Sequence, residues 1–541
     1  MSVHTNTNNT DIEKPPLPPT TPPPPPTPTL GTVTTTTNQA PPTQQHQLLA
    51  HSHDADAALA AITAAQADNP NAAVSAGAEL DAPTQRRLLR RIDARLMPLL
   101  CVVYGLNYLD KTTLSYASIM GIKADLDLSG DEYSWLGSVF YFGYLVWEYP
   151  TNRLLQRLPL GKYSAFNILA WGIVLTSFAS VTSFAGALIV RFFLGVFEAA
   201  VTPGFALCTS QWYTRSEQGT RTGIWFSFNG AAQIVGGLLA YGIARGAAAH
   251  GAAIAPWKII FLATGLLTTA TGAVFLFVVP DSPLNARWLA PADRVNVLLR
   301  IRGNQQGVGN PHWKAYQVRE ALLDPLTWAF FAYALVADIP NGGLTNFFSM
   351  LISSFGYTPE QSLLLGCPAG AFEIVALLLA GWLGDRFGNR LLISTSGLLF
   401  SIFGMALVVG LPESMNVGRL VGYYLTQTSP TPFVALLSLI STNVAGYTKK
   451  TTVAALFLIG YCAGNIIGPQ TFRGDNYVPA EITILVCYAV GLGIILFIYA
   501  YCKHMNRKKA AIRAQPHYVK LENQEWLDLT DRENPEFVYT L

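Results

Sequence analysis

Long apolar runs follow one another along most of this chain, with short polar segments between them. A helix that crosses the hydrocarbon core of a bilayer needs about 20 predominantly apolar residues. Twelve runs reach roughly that length, so the pattern predicts twelve membrane-spanning helices. The third and fourth runs nearly merge, and Ser429–Pro432 interrupts the tenth. The predicted spans are 97–118, 133–155, 163–183, 185–208, 222–244, 257–279, 326–350, 361–384, 391–411, 419–442, 451–472 and 480–502.

The longest polar connection lies between the sixth and seventh predicted spans. Six spans, a polar linker and six more spans are typical of a transporter built from two similar halves. We therefore predict an all-α membrane protein with twelve transmembrane helices in two six-helix halves. The predicted divisions are a disordered, Pro/Thr/Ala-rich cytoplasmic tail (1–84), an N-terminal half (85–280), a cytoplasmic linker (281–325), a C-terminal half (326–502) and a cytoplasmic C-terminal tail (503–541).

Lysine and arginine are distributed unevenly over the connections between the spans. The segment 153–162, the linker and the segment 503–509 are basic, whereas the alternate connections carry few such residues. Cytoplasmic loops are the ones enriched in these residues, so both termini are predicted to be cytoplasmic. The amphipathic patch Arg86–Arg95, directly before span one, is predicted to lie at the cytoplasmic face among anionic headgroups.

Composition and motifs narrow the function classes. Only 13% of residues are charged and the formal net charge is +2, which gives no case for a nucleic-acid partner. The six cysteines sit singly and are interpreted as small buried hydrophobes. There is no GxxxxGK[ST] motif, no nucleophile–base constellation and no metal-ligand spacing. These features argue against an ATP-driven pump, an enzyme, and a cofactor or metal site.

Ionisable residues inside the predicted spans are the first functional candidates, because charges are expensive in hydrocarbon. At a rise of about 1.5 Å per residue, Asp110 in span one and Glu198 in span four fall near mid-membrane. Lys111 and Arg191 supply nearby cations, and we expect the four groups to line one polar cavity. Asp110 and Glu198 are candidates for proton coupling, while Lys111 and Arg191 are candidates for binding an anionic substrate. The alternative is a static charge network between spans one and four.

Other buried polar residues extend this site. Glu148 is expected to pair with a cytoplasmic arginine, whereas the roles of Asp338 and Glu373 stay open. Uncharged candidates for substrate binding interrupt several apolar runs, although hydrogen bonds between helices would also explain them. These candidates are Tyr144, Asn229, Gln233, Asn341, Asn346, Gln427 and Asn465.

The segment Gly381–Arg390, between spans eight and nine, resembles the G-x-L-x-D-R-x-G-x-R signature of the major facilitator superfamily. The resemblance implies that Asp385, Arg386 and Arg390 belong to a cytoplasmic charge latch that helps to set the inward/outward equilibrium. The matching segment after span two, Asn152–Lys162, lacks the aspartate.

A wider set of motifs resembles the fungal allantoate permease family, within the anion:cation symporter branch of that superfamily. The motifs are Asn107–Lys111, Arg191–Glu198, Pro280–Pro283, Ala286–Leu289, Ile339–Gly343, Gly464–Gln470 and Leu527–Pro535. The resemblance implies uptake of small organic anions with protons across the plasma membrane, with substrates such as allantoate, ureidosuccinate and nicotinate. It also assigns proton transfer to Asp110 and Glu198, and substrate binding or salt bridging to Lys111 and Arg191. Lys111 departs from the arginine usual at its position.

The sequence thus predicts a proton-coupled symporter, expected to act as a monomer, that imports a small organic anion by alternating access. Two rival functions stay open. One is export of an anionic metabolite by the same fold, and the other is nutrient sensing through the long N-terminal tail with little transport.

Overall fold

The structure is a computed structural model that describes residues 81–301, 314–473, 476–516, 518 and 529–541. The predicted disordered tail therefore lies almost wholly outside the described residues, and so do residues 302–313 of the predicted linker. The described residues contain helices and connecting turns but no β-strand.

We number the α-helices of the described residues in chain order. They are α1 Ala82–Ile119, α2 Ile122–Asp125, α3 Glu132–Arg157, α4 Leu160–Ser177, α5 Phe184–Glu198, α6 Val201–Trp212, α7 Arg215–His250, α8 Pro256–Val278, α9 Pro291–Ile301, α10 Ala315–Leu323, α11 Pro325–Ser354, α12 Pro359–Leu365, α13 Cys367–Phe387, α14 Arg390–Gly410, α15 Asn416–Thr426, α16 Pro430–Asn443, α17 Tyr447–Gln470 and α18 Val478–Arg513.

The helices follow the twelve predicted spans. Eight helical segments of the described chain are long and apolar enough to cross a membrane, or nine if the pair α10 and α11, bent by 66°, is counted as one span. The remaining predicted spans correspond to α3, to α7 and to the broken pair α15 and α16. These helices carry many of the polar side chains of the site described below, which explains their lower hydropathy.

The basic patch before span one forms part of the same helix as that span. Asp81 caps α1 by accepting a hydrogen bond from the backbone N–H of Thr84 at 3.2 Å, and Pro98 lies inside the helix. Arg87 and Arg91 form ion pairs with Asp293 of α9 at 2.9 and 3.0 Å. These two arginines are thus held against the helix that follows span six.

Glycines allow spans two and four to pack in close backbone contact. A Cβ atom built on Gly195 would lie 1.9 Å from the carbonyl oxygen of Phe140, and one built on Gly143 would lie 2.1 Å from that of Phe192. Only glycine permits this approach of α3 to α5. The contact holds the Arg191–Glu198 face of span four against span two.

The six cysteines are buried and free. Their burial agrees with the prediction that they pack as small apolar side chains.

Most hydrogen bonds between the first six and the last six spans of the described chain lie at one end of the bundle, although Gln233 also donates to the Tyr423 hydroxyl at 3.2 Å in the wall of the cavity described below. Ser115 of α1 meets Ser349 of α11 with an Oγ–Oγ distance of 3.1 Å. The Tyr133 hydroxyl donates to the carbonyl oxygen of Asn346 at 2.8 Å, and the Ser138 hydroxyl donates to that of Ile466 at 2.7 Å. The residues at this end lie near the C-terminal ends of α1, α11 and α17 and the N-terminal end of α3.

Candidate functional site

A cavity of about 150 Å³ lies between the two sets of spans. This is room for on the order of ten waters or one small organic molecule. Its wall combines aromatic, amide and ionisable side chains. The polar and aromatic lining residues are Tyr104, Asn107, Tyr108, Lys111, Tyr141, Tyr144, Thr202, Phe226, Asn229, Gln233, Asp338, Asn341, Thr345, Phe348, Glu373, Tyr423, Gln427, Ser429, Phe433, Phe457 and Tyr461.

Lys111 joins this wall to a buried carboxylate. Its Nζ donates to Asn107 Oδ1 at 2.7 Å and lies 3.6 Å from Glu198 Oε2. Asn107 Nδ2 donates to the same Glu198 oxygen at 2.8 Å. Asn107 and Lys111 are four residues apart and therefore share one face of α1. The result is a compact triad in which one ammonium and one amide hold one carboxylate.

Asp110 and Arg191 lie behind this triad, away from the cavity. Both are almost completely buried, and both carboxylate oxygens of Asp110 lack a hydrogen-bond partner. Arg191 donates through Nε to the carbonyl oxygen of Leu136 at 3.0 Å and lies over the ring of Phe140 at 5.2 Å. Asp110 points away from the cavity because consecutive residues of a helix face different directions.

The expectation that Asp110, Lys111, Arg191 and Glu198 line one cavity therefore needs correction. Lys111 alone of the four is on the wall, and Glu198 reaches the wall only through Lys111 and Asn107. The packing of α3 over α5 covers Arg191, which removes it from direct contact with a molecule in this cavity.

The other set of spans contributes two buried carboxylates to the wall. Asp338 Oδ1 accepts a hydrogen bond from Asn465 Nδ2 at 3.1 Å, and Asn465 Oδ1 accepts one from Asn341 Nδ2 at 2.9 Å. Glu373 faces Asn229, across the close contact of α7 and α13. One oxygen of each carboxylate has no hydrogen-bond partner.

Most of the neutral candidates lie where a ligand could touch them. Tyr144, Asn229, Gln233, Asn341 and Gln427 line the cavity. Two others are not on the cavity wall: Asn465 supports Asp338 and Asn341 of the neighbouring helix, and Asn346 donates within α11 to the carbonyl oxygen of Gly342 at 2.8 Å.

Sequence reasoning predicted Tyr144 but missed the aromatic residues around it, such as Phe433 and Tyr461. The rings of Tyr141 and Tyr144 lie 5.9 and 6.2 Å from that of Tyr461, and Phe433 packs on Tyr461 at 5.8 Å. Tyr104 also lines the cavity. The spacing of Tyr104, Tyr108 and Lys111 by four and three residues was an available signal, because such residues share one helix face.

Glu148 was expected to pair with a cytoplasmic arginine, and the structure gives it another partner. Its Oε1 accepts a hydrogen bond from Asn152 Nδ2 at 2.9 Å, one turn further along α3. Glu148 is buried and forms no ion pair with the described residues, so the expectation was wrong.

Comparison with known proteins gives the family. The model of the Major Facilitator Superfamily matches residues 100–469. The chain belongs to this superfamily. The match agrees with the all-helical architecture and with the cavity between two sets of helices.

Several fungal transporters are similar over most of their length. An uncharacterized transporter of Schizosaccharomyces pombe is 43% identical over 86% of this chain and 91% of its own. The allantoate permease of Saccharomyces cerevisiae is 37% identical over 86% and 88%, respectively. The thiamine pathway transporter of the same yeast is 34% identical over 84% and 86%. The protein is thus a member of the superfamily with fungal transporter relatives, among them an allantoate permease.

A solved bacterial homologue of the human lysosomal transporter Spinster shares the fold. Its structure, in an inward-facing and occupied conformation, aligns with a TM-score of 0.56 at 16% identity, over 75% of this chain and 97% of that one.

The superfamily signature forms the C-terminal end of α13 and the start of α14. Gly388 ends α13 with φ of +68°, a conformation that favours glycine. The side chain of Asp385 lies outside the described residues, Arg386 is exposed, and Arg390 Nη1 donates to Ser438 Oγ at 3.4 Å. The latch role of Asp385, Arg386 and Arg390 stays a prediction.

Proposed function

We propose that this transporter is a proton-coupled symporter that imports a small organic anion by alternating access. The observation that carries the proposal is the buried pair of Lys111 and Glu198 at the edge of the cavity. The similarity to an allantoate permease supports a carboxylate substrate such as allantoate or ureidosuccinate.

The geometry supplies a coupling mechanism in which the substrate and Glu198 compete for one cation. Lys111 neutralises Glu198 when the cavity holds no anion. A substrate carboxylate that binds Lys111 draws the ammonium away from Glu198. A buried carboxylate without a cation is strongly unfavourable, so Glu198 then takes up a proton. The proton and the anion are thereby loaded together and leave together.

Asp110 adds a second proton-binding group within reach of the same charges. Its two oxygens are buried, and the Trp171 indole and the Lys111 and Arg191 charges lie within reach of them. We propose that Asp110 and Glu198 share the proton during the cycle, with Arg191 fixing the local positive charge.

The distribution of basic residues and the family resemblance support the rest of the proposal, which concerns location, orientation and oligomeric state. We propose a plasma-membrane location, cytoplasmic termini and a monomer that consists of the halves 85–280 and 326–502, joined by the linker 281–325. In this orientation most of the hydrogen bonds between the halves lie at the extracellular end, so the structure corresponds to a state that is closed to the outside.

Purified protein in liposomes tests the coupling. Wild type should accumulate a labelled organic anion against its gradient when the outside is more acidic. Glu198→Gln should abolish this accumulation but retain exchange of the anion across the membrane, because the neutral side chain mimics the protonated state. Glu413→Gln, which alters an exposed glutamate in the connection between α14 and α15, is the control and should behave as wild type. Concentrative uptake by Glu198→Gln would refute the assignment.

Uptake and efflux measured in whole cells that express the protein separate import from the two rival functions. Whole-cell accumulation supports import, and net efflux of the labelled anion supports export. Deletion of residues 1–84 should leave transport intact, whereas a sensor would lose signalling without a change in the little transport it performs.

A further inference from the structure

The charges on the cavity wall do not match a simple anion. Of the described residues that line it, Lys111 is the one cation, while Asp338 and Glu373 are carboxylates. A substrate that carried only negative groups would bind Lys111 on one half and leave the two carboxyl groups on the other half without a partner. The lining therefore complements a molecule that carries a carboxylate at one end and a hydrogen-bond donor at the other.

Asp338 is the better prepared of the two carboxylates. It is 4% exposed, and its Oδ2 has no hydrogen-bond partner. No cation of the described chain forms an ion pair with it. Its Oδ1 is held by Asn465, whose amide also donates to the carbonyl oxygen of Tyr461 at 2.9 Å. Both N–H groups of Asn465 are thus in use, which fixes the carboxyl group and leaves Oδ2 as a buried oxygen with no donor of its own in the described chain, on a residue of the cavity wall.

Helix packing fixes this arrangement. A Cβ atom on Gly464 would lie 2.8 Å from Cβ of Asp338, and one on Gly342 would lie 2.7 Å from Cα of Asn465. The glycines let α17 approach α11 closely enough for the Asn465 amide to reach Asp338. A carboxylate set by backbone packing is a preorganised binding group.

We propose that Asp338 binds an N–H-bearing end of the substrate, either an ammonium or a ureido group, while Lys111 binds its carboxylate. This proposal rests on the transport function proposed above. Without a cation, buried Asp338 holds a proton in the empty cavity, by the same rule as Glu198 without Lys111. An ammonium that reaches Oδ2 takes the place of that proton and stabilises the carboxylate, and a ureido group can exchange hydrogen bonds with the carboxyl group, which otherwise bears the cost of desolvation. The site therefore selects amphoteric or ureido carboxylates over plain ones.

Binding of two matched probe series to the purified protein tests this selectivity without a proton gradient. One series is succinate, aspartate and N-carbamoylaspartate, and the other is propionate, alanine and N-carbamoylalanine. Within a series the members differ only in a hydrogen, an ammonium or a ureido group on one carbon. Wild type should bind one N–H-bearing member at least tenfold more tightly than its plain counterpart, and the better member identifies the donor. Equal binding of all members, or none by the N–H-bearing ones, overturns the proposal.

Asp338→Asn should abolish this preference while leaving the affinity for the plain carboxylate unchanged or higher. Glu373→Gln is the matched control, because it neutralises the other cavity carboxylate, and it should keep the preference. Asn465→Ala frees Asp338 Oδ1 without altering the carboxylate and should weaken the preference, so it serves if Asp338→Asn does not fold. A preference that survives Asp338→Asn, or that disappears only in Glu373→Gln, contradicts the proposal. Selectivity without proton-driven accumulation would refute the coupling and leave this site standing.

Discussion

At the residue scale, the site depends on how Lys111 is shared. Its ammonium contacts Asn107 and Glu198 and still faces the cavity. A lysine is a compact charge with rotatable donors, unlike the fixed fork of an arginine. It can turn from Glu198 to a substrate carboxylate without moving the backbone, which the proposed competition requires.

Removal of the Lys111 charge should affect stability and binding separately. In Lys111→Gln, Glu198 loses its cation, and breaking a buried ion pair costs about 3–5 kcal/mol. We expect a lower thermal unfolding temperature and at least tenfold weaker anion binding, which corresponds to about 1.4 kcal/mol. The double variant Lys111→Gln/Glu198→Gln should regain stability but not binding. Unfolding and ligand titration in detergent measure both, and wild-type affinity in the double variant would contradict the role of Lys111.

Individual residues also show how much of the site could be predicted from the sequence. Lys111, Asn229 and Gln233 stood out because polar residues in apolar runs need a reason, and all three line the cavity. The separation of Arg191 from the cavity could not be predicted, because it depends on the glycine contact between α3 and α5. Periodicity places a residue on a helix face but does not say which neighbouring helix covers that face.

At the element scale, the C-terminal segment Thr530–Leu541, here called the C-terminal clasp, ties several helices of the second half together. Lys449 at the start of α17 binds Asp531 at 2.8 Å, Asp324 at 2.8 Å and Glu320 at 3.0 Å. The Tyr539 hydroxyl donates to Asp531 Oδ2 at 2.7 Å. Burial, then the nearby Asp531 charge, raises the pKa of Tyr539, so the phenol remains a donor at physiological pH.

The clasp also bonds backbone to side chain at its end. Thr540 exchanges two hydrogen bonds with the Asn443 amide, at 2.7 and 2.8 Å, and Tyr539 exchanges two with the Asn506 amide, both at 2.8 Å. The sequence predicted only a cytoplasmic tail here, because such pairing is between residues far apart in the chain and leaves no local pattern.

Opening the clasp should destabilise the protein without altering the cavity. Asp531→Asn removes one of three carboxylates from buried Lys449, and deletion of residues 529–541 exposes that lysine as well. We expect Asp531→Asn to lower the unfolding temperature and the deletion to lower it further. Arg532→Ala, an exposed neighbour, is the control and should have little effect. Ligand affinity of the folded fraction should stay within about twofold of wild type, and unchanged stability of the deletion would show that the clasp is dispensable.

At the scale of the whole molecule, the distribution of contacts between the halves defines one state of the transport cycle. Ser115, Tyr133 and Ser138 bond to the second half near one end of the bundle. Alternating access in such folds is largely rigid-body rocking of one half against the other around a central site. Each of these bonds must therefore break once in every cycle.

A reversible crosslink across this contact should stop transport. Ser115 and Ser349 are completely buried, and their Oγ atoms lie 3.1 Å apart, so cysteines at both positions should form a disulfide on oxidation. The oxidised Ser115→Cys/Ser349→Cys variant is expected to lose nearly all uptake into liposomes and to regain it after reduction. The single variants, treated with the same oxidant, control for the six native cysteines, which are buried.

The crosslinked protein also separates transport from binding. If the bonds at Ser115 close only the outer entrance, the oxidised variant should still bind the anion from the other side, because the cavity itself is untouched. Binding measured in detergent should then remain while uptake is lost. Cleavage within the linker followed by nonreducing electrophoresis verifies that the halves are joined. A fully crosslinked protein that transports at the wild-type rate would mean that the two halves do not separate at this end, and the rocking mechanism would have to be abandoned for this protein.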